Sequence, residues 1–510
     1  MLTRVRFALL LVFLFLLAAL SLNFGPSPRA QSGPTLCDVA SAGVCVDPAT
    51  VDFDDPNDDL PEIGGEGFGA LAVTSNARVN TKKDNGKPQN EPYVAIKPDD
   101  PTKLVAGAKD YFFGAGNSSC GFYRSTDGAG SWQPGTALPV PSGYNSQSDP
   151  GLAWSPDLGG YRRVYYSCVL LNSYPGDLTP DNGSIWVTYS QDDGAHYPIG
   201  NGKIVAQGSQ GTPPWPPPIV FHDKPFIAAD PQGGNVYVAW TRFEDFKGDD
   251  VQDTGEIRVK RSTDNGFTFG DLHTVSTAPL NQGAVPLVGP GGVVYIVYAV
   301  LGGPAHRVSS LEIVSSTDGG VSWTSPSTVA NVIGLPATLP NTLIRVNSFA
   351  TAAVDPVNGH IYVAWADNGT FDLFGGNGDI LFTRWDGGSW STPQNLTSGN
   401  TNDQFFPWLS VAPNGNIDLV YYSRLNTTSK KINVFHQRST DGGLQFSGET
   451  LVNLGGNIRG GTQFSGGFIG DYIGVASGPS GAVAVWMDTR RTIPGSITQR
   501  HQDVYSAVIP

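Results

Sequence analysis

The sequence predicts an all-β fold, a seven-bladed propeller of four-stranded blades, and three observations carry that prediction. A turn pattern, Ser-x-Asp-x-Gly-x-x-aromatic, recurs along the chain. A short apolar segment ending in proline recurs at a similar interval. Charged residues are only 15% of the 510, while Gly (64) and Pro (39) are abundant, which suits strands and tight turns rather than helices. A repeated turn implies a repeated supersecondary unit.

The turn pattern occurs from Ser125 to Trp132 (with Ala129 at the glycine position and Gly128 and Gly130 beside it), Ser190 to Tyr197, Ser262 to Phe269, Ser316 to Trp323 and Ser439 to Phe446. Its aspartates are Asp127, Asp192, Asp264, Asp318 and Asp441, and Asp386-Gly-Gly-Ser-Trp390 is a copy one residue short. An aspartate in a hairpin turn accepts backbone N–H bonds and imitates main chain. Glycine supplies positive φ, and the aromatic packs back on the sheet. These residues therefore have a structural role that requires no ligand.

Each module opens with an apolar strand ending at a proline: Pro98, Pro156, Pro231, Pro290, Pro356, Pro413 and Pro479. A β-branched and aromatic strand follows, such as Val236-Tyr-Val-Ala-Trp240 or Ile361-Tyr-Val-Ala-Trp365. A third strand enters the aspartate turn and a fourth leaves it. Seven openings with four strands each give a radial array. The seventh module lacks a fourth strand, and residues 70–80 can supply it from the N-terminal side, hiding the ring's open edges. Six blades is the alternative count.

Residues 1–30 read as an export signal: Arg4 and Arg6, an apolar run from Phe7 to Leu22, then Ser27-Pro-Arg-Ala30. An uncleaved anchor is the alternative. Residues 31–65 form an acidic linker rich in aspartate, and the propeller spans 66–510. The expected location is secreted or cell-surface. Four cysteines suit an oxidising compartment; Cys37 and Cys45 are one expected pair, Cys120 and Cys168 the other. The net charge of −14 argues against a nucleic-acid partner.

The repeated turn resembles that of Asp-box (bacterial neuraminidase repeat) proteins, and through them the sialidase superfamily, over nearly the whole exported chain. The resemblance implies a glycoside hydrolase acting on sialylated or other acidic glycans at the central cavity. It implies a tyrosine nucleophile, Tyr472, activated by a glutamate, Glu244, with an aspartate, Asp403, as acid/base. It also implies an arginine clamp on the sugar carboxylate, for which Arg242, Arg424 and Arg490 are best placed, with Arg345 in reserve. Sialidases carry an Arg-Ile-Pro motif in the first blade; the matching stretch here, Asn90-Glu91-Pro92-Tyr93, has no arginine. The alternative is a non-catalytic module that binds a glycan or a cell-surface protein, and on either reading the expected state is a monomer.

On the face opposite the aspartate turns, acids and a few bases precede the first strands or end the second ones. They include Glu91, Asp149, Asp223-Lys224, Asn347, Asp403 and Asp471, with Lys109-Asp110-Tyr111 and Asp488-Thr-Arg490. Strand-end capping is the plain structural role for any single one. No cofactor is required; the acidic loop from Glu244 to Glu256 offers carboxylates to calcium, without EF-hand spacing.

Overall fold

The computed structural model describes residues 36–38, 44–46, 73, 75–81, 86–113, 117–172, 183–209, 219–245, 253–302, 307–369, 377–424, 431–454, 458–459, 467–493 and 500–510. The export segment, most of the acidic linker, the centre of the acidic loop and the proline run 213–218 lie outside them.

Seven antiparallel sheets follow one another as blades. Their first strands are Gln89–Ile96, Ser146–Trp154, Ile219–Ala229, Asn281–Val288, Thr351–Val354, Gln404–Val411 and Gly474–Gly478. In blades 1 to 6 the next three strands pair in chain order. Blade 7 pairs Gly474–Gly478 with Gly481–Asp488 and Asp503–Ile509, and the N-terminal strand Asn76–Arg78 completes it, Asn76 opposite Ala507. The ring thus closes by joining the two ends of the domain, as the seven-blade count requires. Blade 6 gains a fifth strand, Ile458–Arg459.

The second strands lie between neighbouring sheets, which explains their unbroken apolar run. Ile361–Asp367 is buried at every position, as expected for a strand covered on both faces. Cys120 on the third strand of blade 1 is disulfide-bonded to Cys168 on the second strand of blade 2. Leu36–Asp38 pairs with Val44–Val46 in a separate hairpin with Cys37 opposite Cys45; the side chains of that pair lie outside the described residues. Among the described residues no helix is long and apolar enough to cross a membrane.

The aspartate turns share one hydrogen-bond set. In blade 3, Ser262 Oγ donates to Asp264 Oδ1 at 2.7 Å and accepts from Gly266 N at 2.8 Å, while Thr268 N donates to Asp264 Oδ1 at 2.9 Å. The same bonds recur at Ser125/Asp127, Ser190/Asp192, Ser316/Asp318 and Ser439/Asp441. Asp386 keeps only bonds from Gly388 N and Ser389 N.

Four of the turns also dock on the preceding blade. A Cβ at Gly194, Gly266, Gly320 or Gly443 would meet Val105, Tyr165, Tyr237 or Phe382 at 2.3, 2.8, 3.0 or 2.7 Å. Tyr165 Oη donates to Asn265 O, Tyr237 Oη to Gly319 O, and Arg384 Nη1 to Gly442 O. The turn glycine therefore serves both a left-handed backbone and a close contact between blades.

Candidate functional site

The opposite face carries a second repeat. Near the start of five first strands, two residues oppose one on the neighbouring strand: Glu91-Pro92, Asp149-Pro150, Lys224-Pro225, Gly283-Ala284 and Phe406-Pro407. The first residue of each pair is left-handed, with φ of 52°, 54°, 49°, 74° and 50°. Such bulges re-aim a side chain. At Glu91, Asp149, Lys224 and Phe406 the conformation costs about 1–2 kcal/mol each; Gly283 avoids that cost.

Two residues after the bulge, Tyr93, Phe226 and Trp408 point toward the axis from blades 1, 3 and 6. Their ring centroids lie 5.4–5.9 Å apart, and Tyr472 of blade 7 packs 5.6 Å from Phe226 and 5.8 Å from Trp408. Four blades thus contribute to one aromatic plug.

Beside the plug the bulge residues build a buried charge cluster. Lys224 Nζ lies 2.6 Å from Asp471 Oδ2 and 3.5 Å from Asp149 Oδ1. Arg345 donates to Asp471 Oδ1 from Nη2 at 2.6 Å and from Nε at 3.1 Å, and Asn347 Nδ2 reaches Asp471 O at 3.1 Å. Gln282 Nε2 holds Asp223 Oδ2 at 2.9 Å. Lys109 Nζ lies 5.7 Å from the Tyr111 ring and 5.5 Å from that of Phe468. The cation among these carboxylates is thus supplied by the chain.

Glu91 differs from its neighbours. It is 0% exposed, and neither carboxyl oxygen has a hydrogen-bond partner among the described residues. Burial, reinforced by Asp149, pushes its carboxyl up to about 8. Burial also pushes Asp223 up to about 7, with Lys224 opposing and Asp149 adding to the rise. Burial acts in the same sense on Asp471, but Arg345 and Lys224 outweigh it and hold that carboxyl below the usual range. One site therefore holds a carboxyl kept protonated near neutrality and another kept ionised.

The residues given roles from the resemblance lie elsewhere or do other work. Tyr472 is buried; its hydroxyl donates to Pro150 O at 3.2 Å, and burial raises its pKa far above the ordinary phenol. Forming the phenolate there is costly, and the ring packs against Phe226 and Trp408. Arg242 is ion-paired with Glu244 on the same strand. Arg424 pairs with Asp403 at 2.6 Å and also donates to Pro340 O. Arg490 pairs with Asp488 at 2.7 Å and lies over the Tyr505 ring. These arginines fasten blades 3, 6 and 7 separately, and their described contacts do not include Tyr472. Arg345 alone of the four arginines reaches the axial cluster.

Sequence reasoning placed Glu91, Asp149, Lys224 and Asp471 on the correct face but gave them no chemistry. A signal was present: the bulges follow a polar residue three before proline in Gln89-Asn-Glu-Pro92, Gln147-Ser-Asp-Pro150, His222-Asp-Lys-Pro225 and Gln404-Phe-Phe-Pro407. Gln147 Oε1 accepts from Cys120 N of the preceding blade at 3.1 Å.

Fold and site together define the class, a seven-bladed β-propeller with a charged axial site over an aromatic plug. No protein-family model and no curated protein matches the chain. Among solved structures it is similar to a Hadza microbial sialidase at 15% identity, covering 69% of this chain and 64% of that one, TM-score 0.42. An ulvan lyase aligns at 12% identity over 87% of this chain and 94% of that one, TM-score 0.48. A Penicillium chrysogenum α-L-arabinanase aligns at 14% identity over 86% and 98%, TM-score 0.43. The chain spans less than two thirds of the length of that sialidase.

Proposed function

We propose that this propeller acts on glycans as a glycoside hydrolase, with Glu91 as general acid and ion-paired Asp149 as the opposing carboxylate. The observation that carries this reading is Glu91 itself: a buried carboxyl without a partner, held protonated near neutral pH beside carboxylates held by Lys224. A carboxyl whose pKa is raised by burial is what a glycosidase uses as its general acid. Lys224 orients Asp149 and Asp471, and Arg345 fixes Asp471. The aromatic plug supplies an apolar floor, as sugar and other small-molecule sites commonly have.

A second reading is favoured by one contact set. Both Asp471 oxygens are occupied, Oδ2 by Lys224 and Oδ1 by Arg345, which suits a rigid platform that binds a glycan without cleaving it. The test is a broad panel of reporter glycosides and native polysaccharides, scored for both reducing-end release and retention. Turnover lost in Glu91→Gln supports hydrolysis. Retention without product supports the platform, and the absence of both turnover and retention overturns both readings.

A further inference from the structure

We infer that the axial site takes an uncharged, polyhydroxylated sugar through hydroxyl groups rather than an acidic sugar through its carboxylate; this rests on the glycan reading above. Two of the three cations of the cluster, Lys224 and Arg345, are committed to carboxylates, and Lys109 lies against the Tyr111 and Phe468 rings. Lys224 lies against Asp471 at 2.6 Å and Asp149 at 3.5 Å, and Arg345 places its fork on Asp471. An anionic ligand would have to displace Asp471 from a buried pair, leaving a desolvated charge behind.

The unmatched atoms are of the other kind. Glu91 Oε1 and Oε2 and Asn90 Oδ1 are buried and have no hydrogen-bond partner among the described residues, and Asp149 Oδ1 has none beyond the Lys224 ammonium 3.5 Å away. They come from two adjacent bulges, which hold Glu91 and Asp149 in the same left-handed conformation. Buried acceptors left without donors are costly, and a ligand that brings several O–H groups relieves that cost. A protonated Glu91 both donates and accepts, as a sugar hydroxyl does. A carboxylate only accepts, so it brings no donor to Asn90 Oδ1 or Asp149 Oδ1, and it would face Asp149 and Asp471 as like charges.

The test is calorimetric titration of the full chain with gluco-, galacto- and manno-oligosaccharides and with their uronate- and sialate-bearing counterparts. The expected result is binding of a neutral series at least about tenfold tighter than its acidic counterpart. Asn90→Ala is expected to weaken that neutral binding by about tenfold, the loss of one or two well-made hydrogen bonds. Preference for the acidic series, abolished by Arg345→Gln, overturns this inference and leaves the glycan reading standing. Binding of neither series overturns both. The selectivity ratio is read on the unmodified protein, so it holds even where a variant fails to fold.

Discussion

Lys224 of blade 3 and Asp471 of blade 7 form a 2.6 Å ion pair between blades that are not neighbours in the ring. Both side chains are about 5% exposed, so the pair ties opposite sides of the propeller together at its axis. Removing the ammonium by Lys224→Met leaves Asp149 and Asp471 buried with Arg345 and Lys109 as the remaining cations of the cluster. The expected cost is about 3–5 kcal/mol of unfolding free energy, read as a lower urea midpoint.

Glu91 makes the fold sensitive to alkali. Burial pushes its carboxyl up to about 8 in the fold, against an ordinary value of 4.5. Between those values the unfolded chain holds fewer protons than the folded one, so its contribution to stability falls as pH rises. Below pH 4.5 the two states are equally protonated and the penalty vanishes. Glu91→Gln should therefore raise the melting temperature at pH 8 and change it little at pH 4, the gap at pH 8 corresponding to roughly 2–4 kcal/mol. Equal effects at both pH values would show that Glu91 is ionised in the fold.

The aspartate turns act with the opposite sign. Hydrogen bonds from Ser131 lower the Asp127 carboxyl, and bonds from Thr268 and Ser262 outweigh burial to lower Asp264. Their stabilisation is present above the ordinary aspartate range and is lost as pH falls through the lowered values. Thermal midpoints should drop in acid, and Asp264→Asn should flatten that drop.

In the same blade, the turn's Gly266 has φ +85° and a Cβ there would meet Tyr165 Cε1 at 2.8 Å, whereas Gly270, which opens the following strand, has open space. Gly266→Ala is expected to destabilise by about 1–3 kcal/mol from backbone strain and overpacking. Gly270→Ala is expected to stay within about 0.5 kcal/mol, as surface changes do. Differential scanning calorimetry on the pair separates the two. The glycans turned over should be unchanged in either.

Tyr472→Phe removes one hydrogen bond, to Pro150 O, and leaves the ring packed against Phe226 and Trp408. Turnover should survive it, with stability reduced by about 1 kcal/mol. Loss of turnover with an unchanged fold would restore the tyrosine to the chemistry.

Fold and site were legible to different degrees, for a physical reason. The seven prolines, the aspartate turns and strands such as Ile361–Asp367 repeat because every blade meets the same packing problem, so the architecture can be read from periodicity. Even the closing strand followed from blade 7 lacking a partner for Asp503–Ile509. The site is built from positions where the repeats differ: Glu91, Asp149, Lys224, Gly283 and Phe406 share one bulge and one backbone conformation, but not one side chain. Which of them meet depends on which blades face each other across the axis. Arg242, Arg424 and Arg490 looked like ligand-binding residues because they lie near the same face. Spacing could not show that Glu244, Asp403 and Asp488 already hold them.

The most direct measurement is the pH dependence of kcat/KM on the best substrate from the panel, for wild type and Glu91→Gln. With Glu91 as the proton donor, wild-type activity should fall on the alkaline side with an apparent pKa near 8, and Glu91→Gln should lose turnover by about 10²–10⁴-fold. A Glu91→Gln enzyme that retains wild-type turnover and the same alkaline limb would contradict the assignment.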